Sequence, residues 1–128
     1  MGQASKGYAQ VIDLDHPVGD AISPMQQFES GNVPYVDVAR LSDTKAIACY
    51  SDTNNSSYGT AVILDIVGNV ISAGTAAVFE SANTSFISVA VLSATKAIVC
   101  YTDAGNSNYG TSCVLNVSGS AVTPATAM

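Results

Sequence analysis

The chain has 128 residues, with four Lys and Arg against ten Asp and Glu, a formal net charge of -6, and only 11% of its residues are charged. That length suits one domain and leaves no room for a catalytic domain with a second, regulatory one, and the negative balance is the wrong sign for a nucleic-acid partner. Hydrophobic residues make up 48% of the sequence, enough for a packed core, yet no apolar run approaches the roughly 18 residues that a membrane helix needs.

Met1-Gly2-Gln3-Ala4-Ser5-Lys6 runs straight into strand-like residues, with no basic segment followed by an apolar one. No signal peptide is expected, and synthesis in the host cytoplasm without export is the expectation. Residues 8–27 look like the second half of a structural repeat. Val11-Ile12-Asp13-Leu14 and Gly19 echo Ile63-Leu64-Asp65-Ile66 and Gly68, with a short insertion around His16-Pro17 that reads as a turn. Residues 1–27 are therefore expected to form an N-terminal arm and half-repeat.

Two full copies follow, residues 28–77 and residues 79–128, at a constant offset of 51 with 24 of 50 positions identical and no gap. Such a period is the mark of a repeat architecture. Phe28-Glu29-Ser30 returns as Phe79-Glu80-Ser81, Lys45-Ala46-Ile47 as Lys96-Ala97-Ile98, and Tyr58-Gly59-Thr60 as Tyr109-Gly110-Thr111. Each copy is rich in β-branched residues and punctuated by Gly, Asn, Ser and Asp, which predicts an all-β chain without helices. The expected strands are 35–41, 45–50, 58–66 and 69–73, then 86–92, 96–101, 109–117 and 120–124. The short turns between them make successive strands antiparallel neighbours.

A four-stranded antiparallel sheet repeated about every 50 residues is the unit of a β-propeller blade. The middle strands support this, because Ala46–Tyr50, Ala97–Tyr101 and Ala61–Leu64 are apolar at consecutive positions, so both faces of each sheet should be covered. A two-sheet sandwich would show alternation on its outer faces. About two and a half blades cannot close a ring of roughly four to eight, so the ring is expected to close by homo-oligomerisation. A trimer giving six blades is favoured, and a dimer giving five is the alternative.

Chemistry is sparse. His16 is the one histidine, and there is no Gly-x-Ser-x-Gly elbow or phosphate loop, so no enzyme activity, cofactor or metal is expected. Cys49, Cys100 and Cys113 lack metal or disulfide spacing and read as free, buried thiols. Asp52 with Asn55 and Tyr58, and Asp103 with Asn106 and Tyr109, are the candidate ligand-binding residues. The aspartates read as turn caps or as oxygens of a calcium or sugar site, and the tyrosines, with Tyr50, Tyr101 and Phe86, as packing residues or sugar-stacking platforms. Sequons at Asn54, Asn83 and Asn116 carry little weight in an Asn- and Ser-rich chain.

The core from Lys45-Ala46-Ile47 through Cys49-Tyr50, Asp52, Asn55-Ser56 and Tyr58-Gly59-Thr60, followed by an apolar strand, Gly68 and Phe79-Glu80-Ser81, resembles the roughly 50-residue propeller repeats of phage structural proteins and large bacterial surface proteins. The likeness covers about residues 28–128. It implies a structural virion protein, a trimeric decoration or cement protein on the capsid surface of a phage-like particle, with a capsid shell protein as partner. The alternatives are an oligomeric lectin that binds glycan, or a receptor-binding tail-fibre module.

Overall fold

The computed structural model describes residues 6–12 and 24–127. Among them are the strands β1 (Lys6–Ala9), β2 (Gln26–Asn32), β3 (Val36–Ser42), β4 (Lys45–Asp52), β5 (Tyr58–Val67), β6 (Val70–Ala73), β7 (Ala77–Ser93), β8 (Lys96–Asp103), β9 (Tyr109–Ser118) and β10 (Ala121–Pro124). All pairings are antiparallel, and no α-helix occurs among the described residues. The expectation of an all-β chain is met. Single 3-10 turns at Thr53–Asn55 and Ala104–Asn106 are the helical exceptions that the sequence did not announce. The turn expected at His16-Pro17 lies outside the described residues.

Local chemistry sets each hairpin. Between β3 and β4 the Ser42 hydroxyl accepts the Thr44 N–H at 3.2 Å, and one repeat later Ser93 accepts the Thr95 N–H at 3.3 Å. Both are Ser-based turns that tie the loop to its own backbone. The β5–β6 hairpin turns on Gly68 and the β9–β10 hairpin on Gly119, each at φ +60. That left-handed geometry is what a two-residue hairpin loop demands, and glycine adopts it without steric cost.

The meander β3–β4–β5–β6 forms a first sheet, and β7–β8–β9–β10 a second. The long β7 belongs to both. Its first residues pair with β5, from Ala61↔Ala77 to Tyr58↔Asn83, and its later ones with β8, from Thr84↔Asp103 onward. The register breaks between Ser85 and Ser88, where Phe86 takes φ 51, a costly conformation for an aromatic residue that marks the bend into the second sheet. The sequence predicts a strand only from residue 86 and none over β2. Phe79-Glu80-Ser81 and Phe28-Glu29-Ser30 are polar, short segments whose strand character comes from partners rather than from propensity.

The two sheets stack face to face. Leu41, Ile47, Cys49, Ala61 and Ile63 of the first pack with Val89, Val99, Tyr101, Leu115 and Val117 of the second in one buried cluster. The other face of the first sheet, with Ala48, Tyr50, Val62 and Leu64, is partly covered by β1 and β2 through Ala9, Val11 and Phe28. The β1–β2 pairing copies the β5–β7 pairing. Gly7↔Glu29 repeats Gly59↔Glu80, and Lys6↔Asn32 repeats Tyr58↔Asn83.

Coverage of both faces holds for β4, in which Ile47 through Ser51 are buried, but fails for β8. There Val99 and Tyr101 are buried while Cys100 is exposed and Ile98 half-exposed. Nearly the same sequence thus has two environments, because a third sheet is needed to bury the outer face of the second.

A hydrogen bond also joins the sheets, at an ion pair between β4 and β5. Asp65 of β5 accepts from the Lys45 ammonium and from the Ser120 hydroxyl of the second sheet, and these bonds, Lys45 first, hold its carboxyl below the usual range. A depressed carboxyl stabilises the fold above its ordinary value of 3.8 and loses that contribution as pH falls through the lower folded value. We expect Asp65→Asn to lower the urea midpoint more at about pH 7 than at about pH 2. The pair is partly solvated, so the neutral-pH loss should be about 1 kcal/mol or less. An equal loss at both pH values would show that the charge is not what matters.

Candidate functional site

The predicted ligand residues sit at the ends of the β4–β5 and β8–β9 hairpins. Asp52 lies across from Tyr58, and Asp103 across from Tyr109. Each aspartate caps a 3-10 turn. The Asp52 carboxylate accepts the Asn54 N–H at 3.0 Å, and that of Asp103 accepts the Gly105 N–H at 2.8 Å. Burial, and then the negative charge of Glu29, raise the Asp52 carboxyl above its ordinary value, against the lowering effect of the Asn54 and Asn55 N–H groups. Asn55 and Asn106 are exposed, and Tyr109 is more exposed than Tyr58. Among the described residues no group of three or more His, Cys, Asp or Glu is arranged to hold a metal ion. No helix among them is long and apolar enough to cross a membrane.

A concave surface lies elsewhere, on the first sheet beside β1 and β2. It is a groove of about 510 Å³, with Tyr8, Val11 and Phe28 on one side and Val36, Val38, Ala46, Ala48, Leu64 and Ile66 on its floor. A shift of 51 residues shows what kind of surface this is. Val36 and Val38 are 51% and 57% exposed, whereas Ile87 and Val89, their counterparts, are 9% and 8% exposed beneath the first sheet. Ala46, Ala48, Leu64 and Ile66 correspond to Ala97, Val99, Leu115 and Val117, all of them fully covered in the second sheet. The groove floor is thus a second edition of the face that the first sheet covers.

The opposite end of the molecule carries the complementary surface. Leu41, Ile47, Cys49 and Ile63 cover the second sheet, and their counterparts Leu92, Ile98, Cys100 and Val114 lie on its outer face, with Leu92 at 59% exposure against 7% for Leu41. The polar change is small, since Ala61 is replaced by Ser112 and Asp65 by Asn116. The two ends of the chain thus carry surfaces that correspond, at an offset of 51, to the two sides of the buried junction between the sheets. The sequence predicts Ala46–Tyr50, Ala97–Tyr101 and Ala61–Leu64 as strands covered on both faces, and an open stack of such sheets as leaving an apolar face at each end; it does not single out Val36, Val38, Leu92 or Val114. The signal was available in the repeat, because apolar positions that recur in phase predict one covered face per copy and leave one face over at each end.

The cysteines follow the same division. All three are free thiols, Cys49 and Cys113 buried and Cys100 exposed, so the expectation of a buried thiol fails at Cys100, above which no described strand lies. Burial, with smaller contributions from Asp37 and Cys113, pushes the Cys49 thiol far up. Burial also raises Cys113, which donates to the Ala125 carbonyl at 3.1 Å.

A scan of protein-family models and searches of curated proteins and of solved structures gave no match to this chain.

Proposed function

We propose that the chain is a structural module that assembles head to tail with copies of itself, and that the assembly decorates the shell of a phage-like particle. One observation carries the self-assembly. The groove beside β1 and β2 and the outer face of the second sheet repeat, residue for residue at an offset of 51, the two surfaces that already bury each other within the chain. Complementary patches at opposite ends of one subunit make a heterologous interface, which closes into a ring when the rotation permits. Burying a Val, Leu or Ile side chain contributes about 1.5–3 kcal/mol, so Val36, Val38, Leu92, Ile98 and Val114 together favour association over leaving both ends wet. In this reading each sheet is a propeller blade, and three copies make a ring of about six, inside the range of closed propellers.

The decoration role adds the sequence resemblance and a symmetry argument. A three-fold ring fits the local three-fold positions of a shell.

Two measurements test the proposal. Light scattering at micromolar concentration should give about three times the 13.0 kDa of one chain, and a one-chain mass throughout would overturn the assembly. Thiol labelling gives an independent readout. Cys100 should be protected in the assembly and react first in chains kept apart, with Cys49 and Cys113 unreactive in both, and rapid labelling of Cys100 in the assembled form would put the interface elsewhere. For the particle, immunogold labelling with an antibody to the purified chain should mark the shell, and label confined to the tail would overturn the decoration role.

A further inference from the structure

We infer that the open edge of β9 is the seat of β2 from a second copy of this chain, which releases its own β1 and pairs with Tyr109–Ser112. The inference rests on the head-to-tail reading above and names the strand that joins one copy to the next.

The junction it would form is already built within the molecule. Where β7 passes from the first sheet to the second, the Phe79 ring lies on Gly59 of β5, so close that a Cβ on that glycine would overlap it, and meets Tyr101 at a centroid distance of 5.2 Å. Where β2 passes into β3, Phe28 lies on Gly7 in the same way and meets Tyr50 at 5.3 Å. The third member of the series, Gly110, has no aromatic partner. A Cβ there would meet nothing within 4 Å, and Cys100, Tyr101, Gly110, Thr111 and Ser112 line a shallow depression of about 280 Å³.

Among the described residues the edge itself is also unpaired. On β5, β6 pairs with Leu64–Val67 and β7 with Tyr58–Ala61, so both halves of the strand are occupied. On β9, β10 pairs with Leu115–Ser118, and no described strand pairs with the Tyr109–Ser112 half along that edge. The register is dictated by the repeat. Gly59↔Glu80 and Thr60↔Val78 become Gly110↔Glu29 and Thr111↔Gln27 between copies, with the partners that Glu29 and Gln27 now find in Gly7 and Tyr8.

The present seat of β2 is an incomplete copy of the built junction. Tyr101 donates its hydroxyl proton to Glu80 at 3.1 Å, while Tyr50 in the equivalent place has a buried hydroxyl with no partner. Glu29 is turned instead to the Gly31 N–H at 2.7 Å and to Asn54. An exchange that trades one edge pairing for another of the same kind has little net free-energy cost and is a known route to assembly. β1, four residues long, is the short partner to displace.

Gly110→Ala tests the exchange in the full chain. The added methyl meets open space in the separate subunit, so the melting temperature should match the parent. It would overlap the incoming Phe28, so the concentration at which the chain assembles should rise at least about tenfold. Parent and variant assembling alike would overturn the exchange while leaving head-to-tail stacking in place, and a parent that stays a single chain would overturn both. A second variant covers the case of misfolding. Thr111→Cys with Gln27→Cys, on a Cys100→Ser background, should give a covalent ladder of chains under mild oxidation. Cross-linked species absent from a protein that does assemble would overturn the exchange.

Discussion

Ile47→Ala should lower the unfolding free energy by about 2–5 kcal/mol, whereas Ile98→Ala, one repeat later in the same Lys-Ala-Ile setting, should cost the separate subunit less than about 1 kcal/mol. Ile47 is fully buried between the two sheets, and its removal leaves a cavity that rigid strands on both sides cannot fill. Ile98 stands half-exposed on the outer face of the second sheet, where solvent refills the space. Denaturant titration at a concentration low enough to separate the chains reads both values. Equal losses would mean that the outer face is covered within the subunit, contrary to the stacking described above. The same pair carries the assembly forecast with the order reversed, because Ile98→Ala should raise the concentration needed for association more than its small effect on folding suggests.

Tyr50→Phe and Tyr101→Phe should move stability in opposite directions. The Tyr101 hydroxyl donates to the Glu80 carboxylate, and a hydrogen bond to a charged group contributes about 1.5–3 kcal/mol, so its loss should destabilise by an amount near the low end of that range. Tyr50 keeps a buried hydroxyl without a partner, and deleting an unsatisfied group of this kind removes a desolvation penalty of about 1–3 kcal/mol. Burial is the main reason that both phenols are held well above their ordinary range, with Glu29 next for Tyr50 and the Glu80 hydrogen bond next for Tyr101. Thermal melts of the two variants, again with the chains kept apart, check the signs. A destabilising Tyr50→Phe would show that the hydroxyl finds a partner in solution.

Much of the fold is legible in the sequence because the two copies repeat the same local instructions. β3 to β6 and β8 to β10 fall within a residue or two of the strands expected from β-branched runs between Gly, Ser and Asp punctuation. What was not legible is what depends on a partner outside the local window. β2 and the first part of β7 are polar segments made into strands by β1 and β5, and no window of propensity distinguishes Phe79-Glu80-Ser81 from a turn. The candidate ligand residues were easy to see because polar residues in phase attract notice. Their aspartates cap 3-10 turns. Conversely, Ile98 and Cys100 read as core because Ile47 and Cys49 are core, and only the count of sheets above them separates the two pairs.

The shared register of β2 and the first part of β7 has a consequence for parity. A strand that joins subunits in the same way as another joins sheets inside one subunit makes every link advance the array by a whole pair. A wheel made of the proposed links would hold an even number of sheets, about four, six or eight, and never five or seven. Native mass measurement, which counts chains, would then also count sheets at two per chain.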